Sequence, residues 1–165
     1  MFHSHTKPKT QTPKKPRRRR KRGHYHTGVH HSPKSPAPIN YRSGWELTVC
    51  KALDVNPEVI RYEYESLQIP YLMGGKQHTY TPDLLIAYKS GKKVIAEIKR
   101  ADKLTDRKVI AKATAVRQWL RDNGLAGEYE YQFWTNSLVE AYEKLLAAKE
   151  LTISQALMVE RHKAQ

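Results

Sequence analysis

The sequence predicts a small α/β (α+β) domain, a mixed central β-sheet flanked by helices, behind a disordered basic N-terminal tail. Three observations predict it. Two apolar, β-prone runs, 79–88 and 93–99, flank a short polar turn and read as a hairpin. An amphipathic stretch over 105–122 has helical spacing. The first forty residues hold six of the nine prolines and eleven Lys and Arg, with no Asp or Glu.

That last segment carries +11 of the chain's net charge of +14. It is poor in large apolar residues, so little can offset the entropy of ordering it. We expect residues 1–40 to be a disordered tail, with the Pro-rich run 32–38 as a spacer and ordered structure beginning near Ile39 or Tyr41. The run Arg17, Arg18, Arg19, Arg20, Lys21 and Arg22 self-repels without a polyanion and points to nucleic acid; the alternative is a solubilising tail. The tail's scattered histidines (His3, His5, His24, His26, His30, His31) have no metal-ligand spacing. Absence of a signal-like or membrane-length apolar run argues against secretion and against a membrane partner. The lone Cys50 cannot form an internal disulfide and reads as a buried small side chain.

The elements follow in order. Ser43 opens a helix, with Glu46 three residues on completing a capping box and Trp45, Val49, Ala52 and Leu53 on one side. Asp54, Asn56 and Pro57 end it. Residues 58–72 read as one long or bent strand, with Glu63 and Glu65 either solvent-facing or near the site. Residues 73–76 form a turn into the hairpin, and His78 reads as a polar edge residue. After a loop at 100–104, helix 105–122 has a stripe of Val109, Ala113, Val116 and Leu120, with Lys108, Lys112, Arg117 and Arg121 on its basic side. Gly124 stops it. Residues 129–134 are the fourth strand. A capping box of Ser137 and Glu140 opens a helix to about Ala147, with Leu145 inside, and Thr152 with Gln155 opens a short terminal helix. The expected division is tail 1–40, domain 41–147 and helical extension 148–165.

The hairpin gathers chemistry. Folding at Ser90 and Gly91 brings Asp83 opposite the region of Glu97. Glu97 and Lys99, two apart, share a strand face. Two close carboxylates suit a hard divalent cation, typically Mg²⁺. A nearby lysine can orient a water or steady charge on phosphorus. The plainer reading is a solvated strand face with alternating charges.

Pro82-Asp83 followed by Glu97-Ile98-Lys99 resembles the PD-(D/E)xK nuclease signature. With Tyr41-Arg42-Ser43-Gly44-Trp45-Glu46, Ile69-Pro70-Tyr71 and His78-Thr79-Tyr80-Thr81 before it, the chain looks like the head completion nucleases of tailed phages. It is also similar to the N-terminal endonuclease domain of TnsA-type transposition proteins. The resemblance covers about residues 40–147. It implies a restriction-endonuclease-like fold and a metal-dependent endonuclease with Mg²⁺, or Mn²⁺, held by Asp83 and Glu97. Glu46 would complete the acid set, or serve only as a cap, and Lys99 would assist the attacking water. It further implies double-stranded DNA as partner, contacted by Arg17–Arg22, Lys108 and Lys112. A head completion role would mean phage portal or neck partners and a place in the virion or the infected host's cytoplasm; otherwise the chain would be cytoplasmic. Two alternatives stand beside it. One is a non-catalytic neck protein on the same fold. The other is a TnsA-like transposon-end nuclease, which the short stretch after residue 147 disfavours.

Overall fold

A computed structural model describes residues 26–163, with side chains to residue 152; the basic run Arg17–Arg22 and the histidines before His26 lie outside them. The elements are β1 (Gly28–His30), β2 (Ile39–Tyr41), α1 (Gly44–Val55), β3 (Val59–Tyr64), β4 (Ile69–Met73), β5 (Lys76–Tyr80), β6 (Leu84–Tyr88), β7 (Lys93–Ile98), α2 (Arg107–Asp122), β8 (Tyr129–Trp134) and α3 (Asn136–Lys163). The mixed α/β architecture is the expected one. Among the described residues no helix is long and apolar enough to cross a membrane.

The central sheet has the order β3-β6-β7-β8. β3, β6 and β7 pair antiparallel, while β8 joins β7 parallel after the chain has crossed through α2. Alternation along the strands feeds two cores. Leu84, Ile86, Val94 and Ala96 face α1 and α3, packing with Val49, Leu53, Tyr62 and Trp134. Ile95 and Tyr131 face the other way, with Ala113, Val116 and Leu120 of α2 and with Ile69, Tyr71 and Tyr80 of β4 and β5. β7 is covered on both faces, which is why Val94, Ile95 and Ala96 are consecutive apolar residues. Cys50 is buried, as expected, and its apolar surroundings push the thiol up to about 12.

The expected hairpin forms, but over 84–98; Thr79 and Tyr80, expected at its start, belong to β5. Tyr88 N–H donates to the Lys92 carbonyl, and Gly91 supplies the positive φ of the turn. The expected single strand over 58–72 is instead two. β3 ends at Tyr64, Glu65 takes a φ of 48°, and the chain resumes as β4. β4 then pairs with β5 as a separate two-stranded sheet lying on α2, turned by Gly74 and Gly75, both at positive φ. The turn at 73–76 therefore closes an inserted hairpin. His78 lies within β5, exposed, its ring beside that of Tyr71.

Order also begins earlier than expected. β1 pairs with β2 in the register Gly28 with Tyr41 and His30 with Ile39. The run 32–38 is fastened to the end of α1 and is no free spacer. His30 Nε2 and Ser32 Oγ reach Asp54 at 2.7 and 2.5 Å, and Tyr62 donates to the same carboxylate at 2.9 Å. Lys34 Nζ donates to the carbonyls of Leu53 and Asn56, capping α1 where its dipole is negative. We predict that Asp54→Ala, by removing the acceptor of three donors, lowers stability by about 2 kcal/mol. Limited proteolysis should then cut within 26–38 before the domain melts; resistance equal to that of the parent would count against the fastening.

The last helix differs too. It starts at Asn136, with the Thr135 carbonyl taking the N–H groups of Leu138 and Val139, so no Ser137–Glu140 box forms. It then runs unbroken to Lys163, which makes residues 148–163 a continuation rather than a new helix. Thr152 bonds back to the Ala148 carbonyl at 3.0 Å instead of capping. Leu145 is exposed.

Candidate active site

The register places the acids together. Leu84 pairs with Ala96, so Asp83, one residue before, lies opposite Glu97. Both fall on the sheet face covered by α2. Asp83 Oδ2 accepts the Ile98 backbone N–H at 2.7 Å, which fixes one oxygen and leaves the other free. Glu97 is a buried carboxylate, 4% exposed, and each oxygen has a partner: Lys99 Nζ at 2.8 Å from Oε1, and the Tyr80 hydroxyl at 2.6 Å from Oε2. The plain reading of a solvated strand face therefore does not describe this site.

Burial and the neighbouring Glu97 push Asp83 up, to about 7, with Glu46 adding to the effect; the Ile98 N–H and Lys99 partly oppose it. Lys99 responds to the same acids, and its amine is raised by the bond to Glu97 against the desolvation of its half-buried position. An acid pair beside one lysine, with one acid reluctant to ionise, is a site short of positive charge.

Glu46 is a cap and also a neighbour. Ser43 Oγ accepts the Glu46 N–H at 3.2 Å and donates to Glu46 Oε1 at 2.9 Å. Oε2 takes the Arg42 N–H at 2.7 Å and the Tyr64 hydroxyl at 2.6 Å. Its charge acts on both Asp83 and Lys99. Among the described residues no three of His, Cys, Asp and Glu converge as a ready metal cage, so Glu46 stands near the acid pair without joining it. Glu63 and Glu65 are taken up by Arg61 and Arg42. Glu65 still touches the site through its backbone, donating its N–H to the Asp83 carbonyl at 3.0 Å.

Two participants escaped the sequence reading. Tyr80, part of the family resemblance with no role of its own, and Tyr131, read only as a strand former, are buried with their hydroxyls 3.1 Å apart, and Tyr80 holds Glu97. Lys112, expected as a DNA contact on the basic side of the helix, is half-buried on α2, with its amine 4.3 Å from the centroid of the Tyr80 ring. Desolvation lowers its pKa, and Glu97, Lys99 and Asp83 all act on it. Lys108 is exposed one turn earlier. The available signal was local: a tyrosine just before Pro82-Asp83, and a lysine beside the buried Ala113 and Val116 stripe.

Comparison with known proteins adds to this geometry. Residues 56–126 match the model of the family described as TnsA-like endonuclease N terminal. The chain is 39% identical over 66 residues to the head completion nuclease of Enterobacteria phage T4, covering 39% of this chain and 44% of that protein. It is 44% identical over 46 residues to endonuclease I of Escherichia phage T7, covering 28% of this chain and 30% of that one. The chain thus spans less than half the length of either relative. The nuclease-family resemblance drawn from Pro82-Asp83 and Glu97-Ile98-Lys99 is supported: Asp83, Glu97 and Lys99 all lie within the stretch that matches the TnsA-like endonuclease N-terminal model.

Proposed function

We propose that the protein is a metal-dependent DNA endonuclease that hydrolyses phosphodiester bonds. The observation that carries this reading is the convergence of Asp83, Glu97 and Lys99 on the covered edge of the β6–β7 hairpin. The donor set fits Mg²⁺ or Mn²⁺: carboxylate oxygens, no thiol or imidazole among the grouped residues, and excess negative charge held in check by a lysine and a proton. Asp83 and Glu97 would hold the cation, with Glu46 adding its field to theirs. Such a cation, when bound, polarises the phosphate and lowers the pKa of a coordinated water.

The chain's own groups do the rest. Tyr80 fixes Glu97 through Oε2, so the carboxylate presents Oε1. Lys99, released from Oε1 when another cation faces it, is free to orient the attacking water or to steady charge on the phosphate. The basic run Arg17–Arg22, with Lys108 and Lys112, would draw in double-stranded DNA, and binding would weaken steeply with salt.

A finer role follows from the relatives' names. One of them is a head completion nuclease, which supports processing of packaged DNA ends at the portal vertex, as part of or alongside the phage virion, with portal or neck proteins as partners.

The test is incubation of the purified chain with supercoiled and linear DNA in Mg²⁺, Mn²⁺ or EDTA. The expected result is nicking and linearisation in either metal and none in EDTA. DNA binding without cleavage in any metal would overturn the enzymatic reading.

A further inference from the structure

Two cations of α2 lie over aromatic rings: Lys112 Nζ at 4.3 Å from the Tyr80 centroid, and the Arg117 guanidinium at 5.7 Å from that of Tyr131. The two rings are joined through their hydroxyls at 3.1 Å, and Tyr80 donates onward to Glu97. A single chain of contacts therefore runs from the acid pair to the surface of α2. Its order is Glu97, Tyr80, then Lys112 on one branch and Tyr131 with Arg117 on the other.

Like the other basic residues of α2 within 107–121, Lys112 and Arg117 pair with no carboxylate among the described residues, whereas Lys99 at the acid pair does. For an exposed lysine that would mean little. Lys112 is half-buried, and a desolvated ammonium without an anion is unfavourable. The Tyr80 ring offsets part of that through its quadrupole. The arrangement satisfies the amine only in part and leaves it open to an incoming anion. No Asp or Glu occurs between Arg107 and Arg121, so α2 presents no competing acid along this side.

We propose that Lys112 is a phosphate-binding residue of the site, holding a backbone phosphate beside the one attacked, with Tyr80 as its platform and Arg117 extending the same track. Its position argues for a neighbouring phosphate. Lys99 already serves the acid pair directly, on Glu97 Oε1, whereas Lys112 stands beyond Tyr80, on the side of Oε2. A strand of DNA lying along α2 would meet Lys99 at one phosphate and Lys112 at another. The assignment to a substrate strand rests on the nuclease reading above; the phosphate contact itself does not.

The competing account is packing, in which the lysine's methylene stem covers Tyr80 and its charge does nothing. Lys112→Met keeps the stem and loses the charge, Lys112→Gln is a second neutral variant, and Lys112→Arg keeps the charge. The full chain is titrated with a short DNA duplex in EDTA over a series of NaCl concentrations, so that no cleavage is needed. The expected result is that both neutral variants bind several-fold more weakly, with the slope of log K against log salt shallower by about 0.9, one phosphate contact. Lys112→Arg should keep the parent slope. In metal, the neutral variants should raise KM more than they lower kcat. An unchanged slope in the neutral variants, or an arginine variant as impaired as they are, overturns the proposal. A parent protein that binds with the expected slope but never cleaves would overturn the nuclease reading and leave the phosphate contact standing.

Discussion

Asp83→Asn should abolish cleavage and yet make the metal-free protein more stable at pH 8. The loss of activity, on the order of 10³-fold, follows from removing one of the two carboxylates proposed to hold the cation. The gain in stability follows from the ionisation of Asp83. Its folded-state pKa is raised to about 7 from an ordinary 3.8, chiefly by burial and then by Glu97. The unfolded chain therefore releases this proton at lower pH than the folded one. Below the ordinary carboxyl range the group favours neither state. As pH climbs from about 4 to 7 the folded state is progressively penalised, and above 7 the penalty is complete. Its ceiling is about 4 kcal/mol, from 1.36 kcal/mol per pH unit, and water at the rim of the site leaves roughly half of it. Asparagine stays neutral and can still accept the Ile98 N–H. Melting curves should show the variant several degrees above the parent at pH 8, with the gap closing by pH 5. A variant less stable than the parent at pH 8 would sink the argument. By the same linkage the parent needs more Mg²⁺ for half-maximal cleavage as pH falls from 8 to 6, since binding must expel the proton.

Lys99→Met should be the opposite case, inactive and less stable. Cleavage should fall about 10²–10³-fold, the usual effect of losing a preorganised charge at a reacting phosphate. In the metal-free protein the amine is the cation that faces Glu97, a carboxylate 4% exposed. Removing it leaves a buried charge held by the Tyr80 hydroxyl alone, a change of about 3 kcal/mol. The two variants thus move melting temperature in opposite directions while both lose activity, which general damage to the fold could not do. Adding Mg²⁺ should recover part of the stability lost in Lys99→Met, because a cation again meets Glu97. An unchanged melting temperature in the metal-free variant would show that the ion pair carries no weight.

The heart of the site was legible because it is local. A hairpin with one glycine turn sets Asp83 against Glu97 by counting residues, and strand periodicity puts Lys99 beside Glu97. What stayed hidden depends on breaks and long-range contacts. The strand over 58–72 splits at Glu65, a non-glycine residue at positive φ, so no glycine or proline announces the corner. The bond from Tyr80 to Tyr131 joins residues 51 apart, and nothing near either one foretells it. The segment before Ile39 looks too polar and proline-rich to order, yet it is fastened by His30, Ser32 and Lys34 to one helix end. Residues 147–151 contain no helix breaker, so α3 continues where a capping pattern suggested a fresh start. Glu46 makes the cap that its spacing from Ser43 announced, and its charge also acts on Asp83.

The pairing of β1 with β2 leaves no room for a side chain at the point where the chain enters the domain. Gly28 faces Tyr41, two residues before the Ser43 cap, and a side chain at Gly28 would collide with the Tyr41 ring, so the chain must enter the domain closely there. That entry lies at the same end of α1 as Glu46 and Arg42. A side chain at Gly28 would push β1 off β2, and with it the chain that leads to Ser43 and Glu46 at the start of α1.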